Sequence, residues 1–434
     1  MKWTLVQSKS LAALPARQTL IDRLARTVIM RRLRRLQTGA LTIVDDGEHH
    51  CFGERHTATG LHATLTIHDA RAFRDVLFGG NIGGGESYVL GRWSCDNLTG
   101  LVQILLRNQS VLYGMSEGFS RLTSAVNRVL HWMRRNTPGG SRRNIAAHYD
   151  IGNELFSLFL DETMMYSCGI FAHPTTTLHQ ASLAKLDLIC RKLQLGPQDH
   201  VLEIGTGWGG FAIHAARHYG CRVTTTTISR QQYELARQRV ADAGLAQQVE
   251  VLFRDYRELT GQYDKLVSIE MIEAIGHRYF DTYFEKCSTL LKPDGMLLIQ
   301  AITIGDQRYP AARRSVDFIQ RYIFPGGCLP CVSVLAHSIA RNTDMRLVHL
   351  EDIGPHYATT LRRWRQRFNA NLNKVQSLGY NDRFTRLWEY YLCYCEGGFL
   401  ERHIGTVQLV LGKPLCRQEP GLPGRAAGNQ SHAA

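Results

Sequence analysis

Residues 201–213 read Val-Leu-Glu-Ile-Gly-Thr-Gly-Trp-Gly-Gly-Phe-Ala-Ile. Val201, Leu202 and Ile204 make an apolar run long enough for a buried strand and too short for a helix. Glycines follow at 205, 207, 209 and 210, and Phe211-Ala212-Ile213-His214-Ala215-Ala216 opens a helical pattern. Strand, glycine turn and helix place a backbone that a ligand can approach closely beside a helix N-terminus. Four glycines in six residues are more than a plain strand-to-helix turn requires.

Strands and helices alternate downstream. Cys221–Thr227, Val249–Phe253, Lys265–Ile269, Met296–Ile302 and Thr406–Leu411 read as strands; 231–243 and 281–291 read as helices, the latter ending at Lys292-Pro293-Asp294-Gly295. Such alternation predicts an α/β fold, a mostly parallel sheet with helices on both faces and ligands at the carboxyl ends of its strands. A nicotinamide enzyme of this architecture would carry an acid at the end of the second strand. Here that strand ends Thr224-Thr225-Thr226-Thr227-Ile228-Ser229, without a carboxylate.

Upstream, residues 13–36 mix aliphatic side chains and arginine at helical spacing, which suits a helix lying on a membrane or one packed on its own domain. Ala40–Val44 and Ala63–Ile67 alternate like strands, with an Asp45-Asp46-Gly47 turn signal between them. Ile82-Gly83-Gly84-Gly85-Glu86-Ser87-Tyr88 reads as a turn leading to Trp93 and a helical run over Leu98–Leu106. The division expected is a small N-terminal α+β domain (1–115), a basic helix and linker (116–145), a catalytic domain (146–414) and a disordered tail (415–434).

The 44% apolar content supports a full core, and no run is long enough to span a bilayer. Residues 1–20 lack a signal core, and eleven scattered cysteines suit reduced thiols, so a cytoplasmic setting is expected. The net charge of +13, with basic clusters at 31–35 and 134–143, calls for an acidic partner: an anionic membrane face or nucleic acid.

Glu203-x-Gly205-x-Gly207-x-Gly209-Gly210 resembles the S-adenosylmethionine loop of class I methyltransferases. That resemblance implies a Rossmann-like sheet and a cofactor site including Glu203, Gly205, Gly207, Trp208 and Gly209. Thr227 and Gln232 stand where ribose is held, Ser229 beside them belongs to the same cofactor site, and Asp255 with Tyr256 stands where adenine is held. A helix cap is an equal reading for Asp255. Further segments are specific. His148-Tyr149-Asp150-Ile151-Gly152-Asn153-Glu154-Leu155-Phe156 followed by Tyr166-Ser167-Cys168, Glu270-Met271-Ile272-Glu273-Ala274-Ile275-Gly276-His277, Arg321-Tyr322-Ile323-Phe324-Pro325-Gly326-Gly327-Cys328-Leu329-Pro330, and Tyr390–Phe399 are similar to cyclopropane-fatty-acyl-phospholipid synthases. The match covers roughly 145–412, and Gly85–Tyr88 through Cys95-Asp96 extends it into that family's N-terminal domain.

The resemblance implies transfer of a methyl group from S-adenosylmethionine to the cis double bond of a phospholipid acyl chain. An alkene is a weak nucleophile, so the methyl must be held in line in a dry site. The carbocation formed is stabilised by aromatic faces, for which Tyr322, Phe324 and Tyr166 are candidates; Tyr166 and Ser167 also border the cofactor. In the family a bound bicarbonate takes the proton. By position its cage is Cys168 and Ile302 (through their backbones), Glu273, Tyr322 and the residue at 300. The family's histidine is Gln300 here, which donates a hydrogen bond but cannot titrate. The Gln300-Ala301-Ile302 pattern also resembles relatives that add a methylene or methyl branch. Cys395 matches a cysteine once regarded as catalytic; no step needs a thiolate, so it reads as packing.

Cys328 and Cys331 have CxxC spacing, but Cys393 and Cys395 do not complete a zinc loop, and no metal is expected. The expected partners are unsaturated phospholipids at the inner membrane surface, with a homodimer and a downstream reductase as candidates. An RNA base methyltransferase is the more distant reading.

Overall fold

The chain divides into two units, each gathered from several stretches: Met1–Arg135, Pro310–Pro325 and Ala358–Ile404 in the first, and Asn136–Tyr309, Gly326–Tyr357 and Gly405–Ala434 in the second. The single cut expected near 115–145 is thus replaced by an interleaved division. The computed structural model describes residues 18–54, 60–110 and 151–421. The basic cluster at 134–143, the linker at 116–145 and His148-Tyr149-Asp150 lie outside the described residues.

In the first unit, β1 (Ala40–Asp45), β2 (Glu48–Gly53), β3 (His62–Ile67) and β4 (Trp93–Cys95) form a sheet in the order β2-β1-β3-β4. The Asp45–Glu48 turn joins β1 to β2 with Asp46 at φ 51° and Gly47 at φ 80°, the backbone that a two-residue hairpin needs. The segment Ile82–Tyr88 is not a turn. It lies within the helix Arg71–Val89, which breaks its helical geometry at Gly80 (φ 54°, ψ −137°). The glycines after the break serve close approach: a Cβ on Gly85 would stand 2.5 Å from the Phe318 ring and 3.0 Å from Tyr390. Tyr390 lies on the helix Asp382–Leu400, whose Arg386 donates to the carbonyls of Tyr88 (2.6 Å) and Trp93 (2.7 Å). On the same helix, buried Glu396 accepts from Arg362, Arg365 and Thr99.

In the second unit the glycine-loop strand is central. β5 (His200–Ile204), β6 (Arg222–Thr227), β7 (Val249–Phe253), β8 (Tyr263–Ile269), β9 (Leu291–Ile304), β10 (Arg346–Asp352) and β11 (Ile404–Gly412) stand in the order β10-β11-β9-β8-β5-β6-β7. The run from β7 to β9 is parallel and β10 is antiparallel to β11. Register aligns the carboxyl ends, with Ile204 opposite Thr226, Thr227 opposite Phe253, and Ile269 opposite Gln300. The helices Leu178–Lys192 and Gly210–Tyr219 pack Leu186, Ile189, Phe211, Ala212 and Ala215 into one core with Val201 and Val223. Residues 415–421, expected in the disordered tail, are held down: Leu415 N donates to Pro293 O (3.0 Å) and Lys265 donates to Gln418.

Adding a methyl at Gly85 overpacks a full aromatic contact. Gly85→Ala should cost about 1–3 kcal/mol of stability, read as a lower urea midpoint, whereas Gly47→Asn in the hairpin turn should move it little.

Candidate active site

The glycine loop leaves β5 with Gly205, Gly207 and Gly209 at φ 103°, 53° and 83°, angles that side chains with a Cβ resist. Gly205 N and Thr206 N both donate to Thr226 O, pinning the turn to β6. No described atom lies within 4 Å of where a Cβ on Gly207 would stand, and the helix Gly210–Tyr219 begins three residues later. An open backbone beside a helix N-terminus fits S-adenosylmethionine. Glu203, 2% exposed, lies 2.6 Å from the Thr225 hydroxyl, and burial lifts its carboxyl to about 8.

At the end of β6, Thr227 donates to the Gln232 carbonyl (2.8 Å), and Ser229 caps the helix Arg230–Asp242. Asp255 settles towards the cap: its two oxygens accept from Arg257 N, Nε and Nη2 at 3.0, 2.8 and 2.7 Å. Tyr256 beside it meets Tyr283 edge-on. Trp208 points into the core, where its indole nitrogen donates to Asn153 (2.7 Å) and its ring packs on Phe156, which in turn meets Tyr166 edge-on. Ser167 accepts from the fully buried Lys185 (2.8 Å).

Beyond β8 and β9 the structure gathers Cys168, Glu273, Gln300 and Ile302 around a residue without an assigned role, Glu270. The Glu270 Oε1 accepts from Cys168 N (3.0 Å) and Gln300 Nε2 (2.7 Å), and its Oε2 accepts from the Tyr357 hydroxyl (2.6 Å). Two donors expected to hold bicarbonate therefore hold a carboxylate of the chain itself. Glu270 thus occupies both of those donors in this structure. Glu270 also has φ 50°, a left-handed backbone that costs a non-glycine residue about 1–2 kcal/mol.

Glu273 follows three residues on. Its Oε1 accepts from Ile302 N, while the buried Oε2 has no hydrogen-bond partner among the described residues. Burial first, and the Glu270 charge second, push the Glu273 carboxyl up to about 8. Glu270 is raised by burial too, against the opposing pull of Tyr357, Cys168 N, Gln300 and Lys185. The Glu273 carboxyl therefore holds its proton near neutrality.

Tyr322 and Cys395 belong to the first unit and have partners there. The Tyr322 hydroxyl donates to Glu86, which Arg321 also reaches at 3.1 Å. Phe324 meets Tyr391 edge-on. The Cys395 thiol is pushed up by burial and by Asp317 and Cys393, which suits packing rather than nucleophilic work. Sequence reasoning missed Glu270, Tyr357 and Lys185. Two glutamates three residues apart at the end of the fourth strand were the signal for the first; nothing local marks the others.

Residues 138–409 match the family model described as mycolic acid cyclopropane synthetase. The chain is 42% identical over 350 residues to a tuberculostearic acid methyltransferase of Mycobacterium tuberculosis, covering 76% of this chain and 79% of that one. It is 37% identical over 354 residues to the cyclopropane-fatty-acyl-phospholipid synthase of Escherichia coli, covering 81% and 88%. A mycolic acid cyclopropane synthase solved with SAH and CTAB superposes with a TM-score of 0.59 at 31% identity, over 63% of this chain and 98% of that one.

An acid whose pKa is raised by folding binds a proton that the unfolded chain has released, so it lowers stability as pH rises. For Glu273 that window runs from 4.5 to about 8. Glu273→Gln should be more resistant to urea than the parent at pH 8, with the gap closing towards pH 4.5. An equal gap at both pH values would contradict this.

Proposed function

The chain belongs to the mycolic acid cyclopropane synthetase family of S-adenosylmethionine-dependent methyltransferases, and from that premise we propose that it methylates the cis double bond of an unsaturated phospholipid acyl chain. We assign the proton-accepting role to Glu270. The observation that carries this is the Glu270 carboxylate seated on Cys168 N, Gln300 Nε2 and the Tyr357 hydroxyl.

When bound, S-adenosylmethionine supplies an electrophilic sulfonium methyl. Gly205, Gly207 and Gly209 give its close backbone contacts, with Thr227, Ser229 and Gln232 on the ribose side. Asp255 contributes by fixing the turn through Arg257 rather than by a free carboxylate. Tyr256, Tyr166 and Ser167 border the site, and Glu203 and Trp208 brace the loop from inside. The alkene π pair forms a bond to the methyl carbon as the carbon–sulfur bond breaks, leaving a cation on the acyl chain. Glu270 then takes a proton. If it leaves the new methyl while its electron pair reaches the cation, a cyclopropane closes.

Glu273 carries a proton at neutral pH, which relieves repulsion and leaves Glu270 ionised.

A second reading is a methylene or methyl-branched product, reached when a hydride shift precedes proton loss. A fixed protein carboxylate in place of a diffusible anion favours it, as does similarity to a tuberculostearic acid methyltransferase; a saturated branch would need a reductase partner. The family assignment supports lipid over RNA as acceptor. Membrane docking has its own support in the first unit. On the helix Leu20–Leu33, Leu20, Ile21 and Leu24 are 77%, 53% and 66% exposed, in line with exposed Arg31, Arg34 and Arg35. That pairing suits the headgroup region of an anionic, cytoplasmic membrane face. No described helix is long and apolar enough to cross a membrane.

Proton NMR of oleoyl phosphatidylglycerol vesicles after turnover separates the products: high-field ring protons for cyclopropane, vinylidene protons for the branched route. Unchanged lipid would reject both. Glu270→Gln should lower turnover by about 10²–10⁴-fold with S-adenosylmethionine affinity kept, and removing bicarbonate from the buffer should leave the parent rate unchanged. A bicarbonate requirement would return the base to the anion. Leu20→Asp with Leu24→Asp should weaken vesicle binding at least about tenfold by sedimentation, with folding intact.

A further inference from the structure

Behind Glu270 runs a line of side chains that the reaction does not touch. Lys192, the last residue of the helix Leu178–Lys192, is 0% exposed, and its ammonium donates to the Gln408 carbonyl oxygen at 2.7 Å. Gln408, on β11 and also 0% exposed, donates from Nε2 to Gln300 Oε1 at 2.9 Å. Gln300, on β9, donates from Nε2 to Glu270 Oε1 at 2.7 Å. A lysine ammonium can only donate and a carboxylate can only accept. The two ends therefore fix the orientation of both amides, since turning either would set two oxygens or two NH2 groups face to face.

Every donor in this line points from the cation to the carboxylate. Each amide dipole is polarised by the one before it, and in a buried setting such alignment strengthens the final bond. We propose that Lys192 and Gln408 are positioning residues for the reaction. They hold the Gln300 amide with its NH2 towards Glu270 and so keep the Glu270 carboxylate ionised and aimed. This rests on the reading of Glu270 as the base.

Other charges face the two ends. Lys192 also donates to Glu351 on β10, an edge-strand carboxylate that is partly exposed, and it lies near His349. Glu270 faces Lys185 from the helix Leu178–Lys192, Tyr357 and Glu273. Lys185 reaches Ser167 rather than the line of amides, so its contribution persists when the line is broken.

The test is the pH dependence of kcat/KM on oleoyl phosphatidylglycerol vesicles. A base must be ionised to act, so activity falls on the acid side as the base takes a proton. Lys192→Met removes the cation and Gln408→Leu removes the link, each with an apolar side chain of similar size. Both should move the acid limb to higher pH by roughly one unit, with activity recovering on the alkaline side. The double variant should move it no further than the larger single shift, because one line is broken once. Lys192→Arg, which keeps the cation, should bring the limb back. Urea midpoints and S-adenosylmethionine binding show that each variant is folded.

Loss of activity by the same factor at every pH, with the limb in place, would reduce both residues to structural filling and overturn the proposal. Additive shifts in the double variant would overturn the single-line account. An acid limb that survives unchanged in Glu270→Gln would instead remove Glu270 as the base, whatever Lys192 and Gln408 do.

Discussion

Around Glu270 a negative charge is taken out of water and given three donors at the carboxyl edge of a parallel sheet. Such a group is costly unless its hydrogen bonds are made, and here they come from a loop backbone, a strand side chain and a helix tyrosine. Each of those elements must then keep its place. Cys168 fixes the loop after Tyr166, Gln300 fixes the register of β9 against β8, and Tyr357 fixes the start of the helix Gly354–Ala370. The left-handed backbone at Glu270 adds to the cost, and the surrounding donors hold it there.

Glu273 is the consequence of that arrangement. A second carboxyl three residues away has one oxygen on Ile302 N and the other without a hydrogen-bond partner among the described residues, and burial first, with the Glu270 charge second, pushes it up to about 8. Glu270 is raised by burial but drawn back by Tyr357, Cys168 N and Gln300, whereas Glu273 lacks such a set of donors among the described residues. The buried Lys185, lowered to about 8 by desolvation and drawn back by Glu270 first among its neighbours, limits how much negative potential the site accumulates.

The first unit solves a different problem, packing aromatic side chains closely enough to exclude water from an apolar interior. Gly85 makes room for Phe318 and Tyr390, while Tyr88 and Trp93 pack at 4.9 Å between ring centres. Its buried charge is treated as Glu270 is: Glu396 accepts from two arginines and a threonine. The exposed Leu20, Ile21 and Leu24 of the helix Leu20–Leu33 are the exception, and exposed arginines follow them along the chain.

The local pattern by itself determined the glycine loop and the strands β5 to β9 and β11, because periodicity and glycine placement are properties of short stretches; the family came from the resemblance of several longer motifs. That resemblance, carried over by position, also named Cys168, Glu273, Gln300 and Ile302, which the structure gathers beyond β8 and β9. The local pattern had its failures. It misread Ile82–Tyr88 as a turn, since three glycines signal a break unless a neighbour such as Phe318 needs the space. It left Asp255 between cap and ligand, and the structure adds its contacts to Arg257. Lys192, Gln408 and Tyr357 carry no local signature. Residues 192, 300 and 408 are joined only because β9 and β11 are neighbours and a helix ends beside them. Which donors a carboxylate meets depends on distances between residues far apart in sequence, and only the tertiary structure sets those.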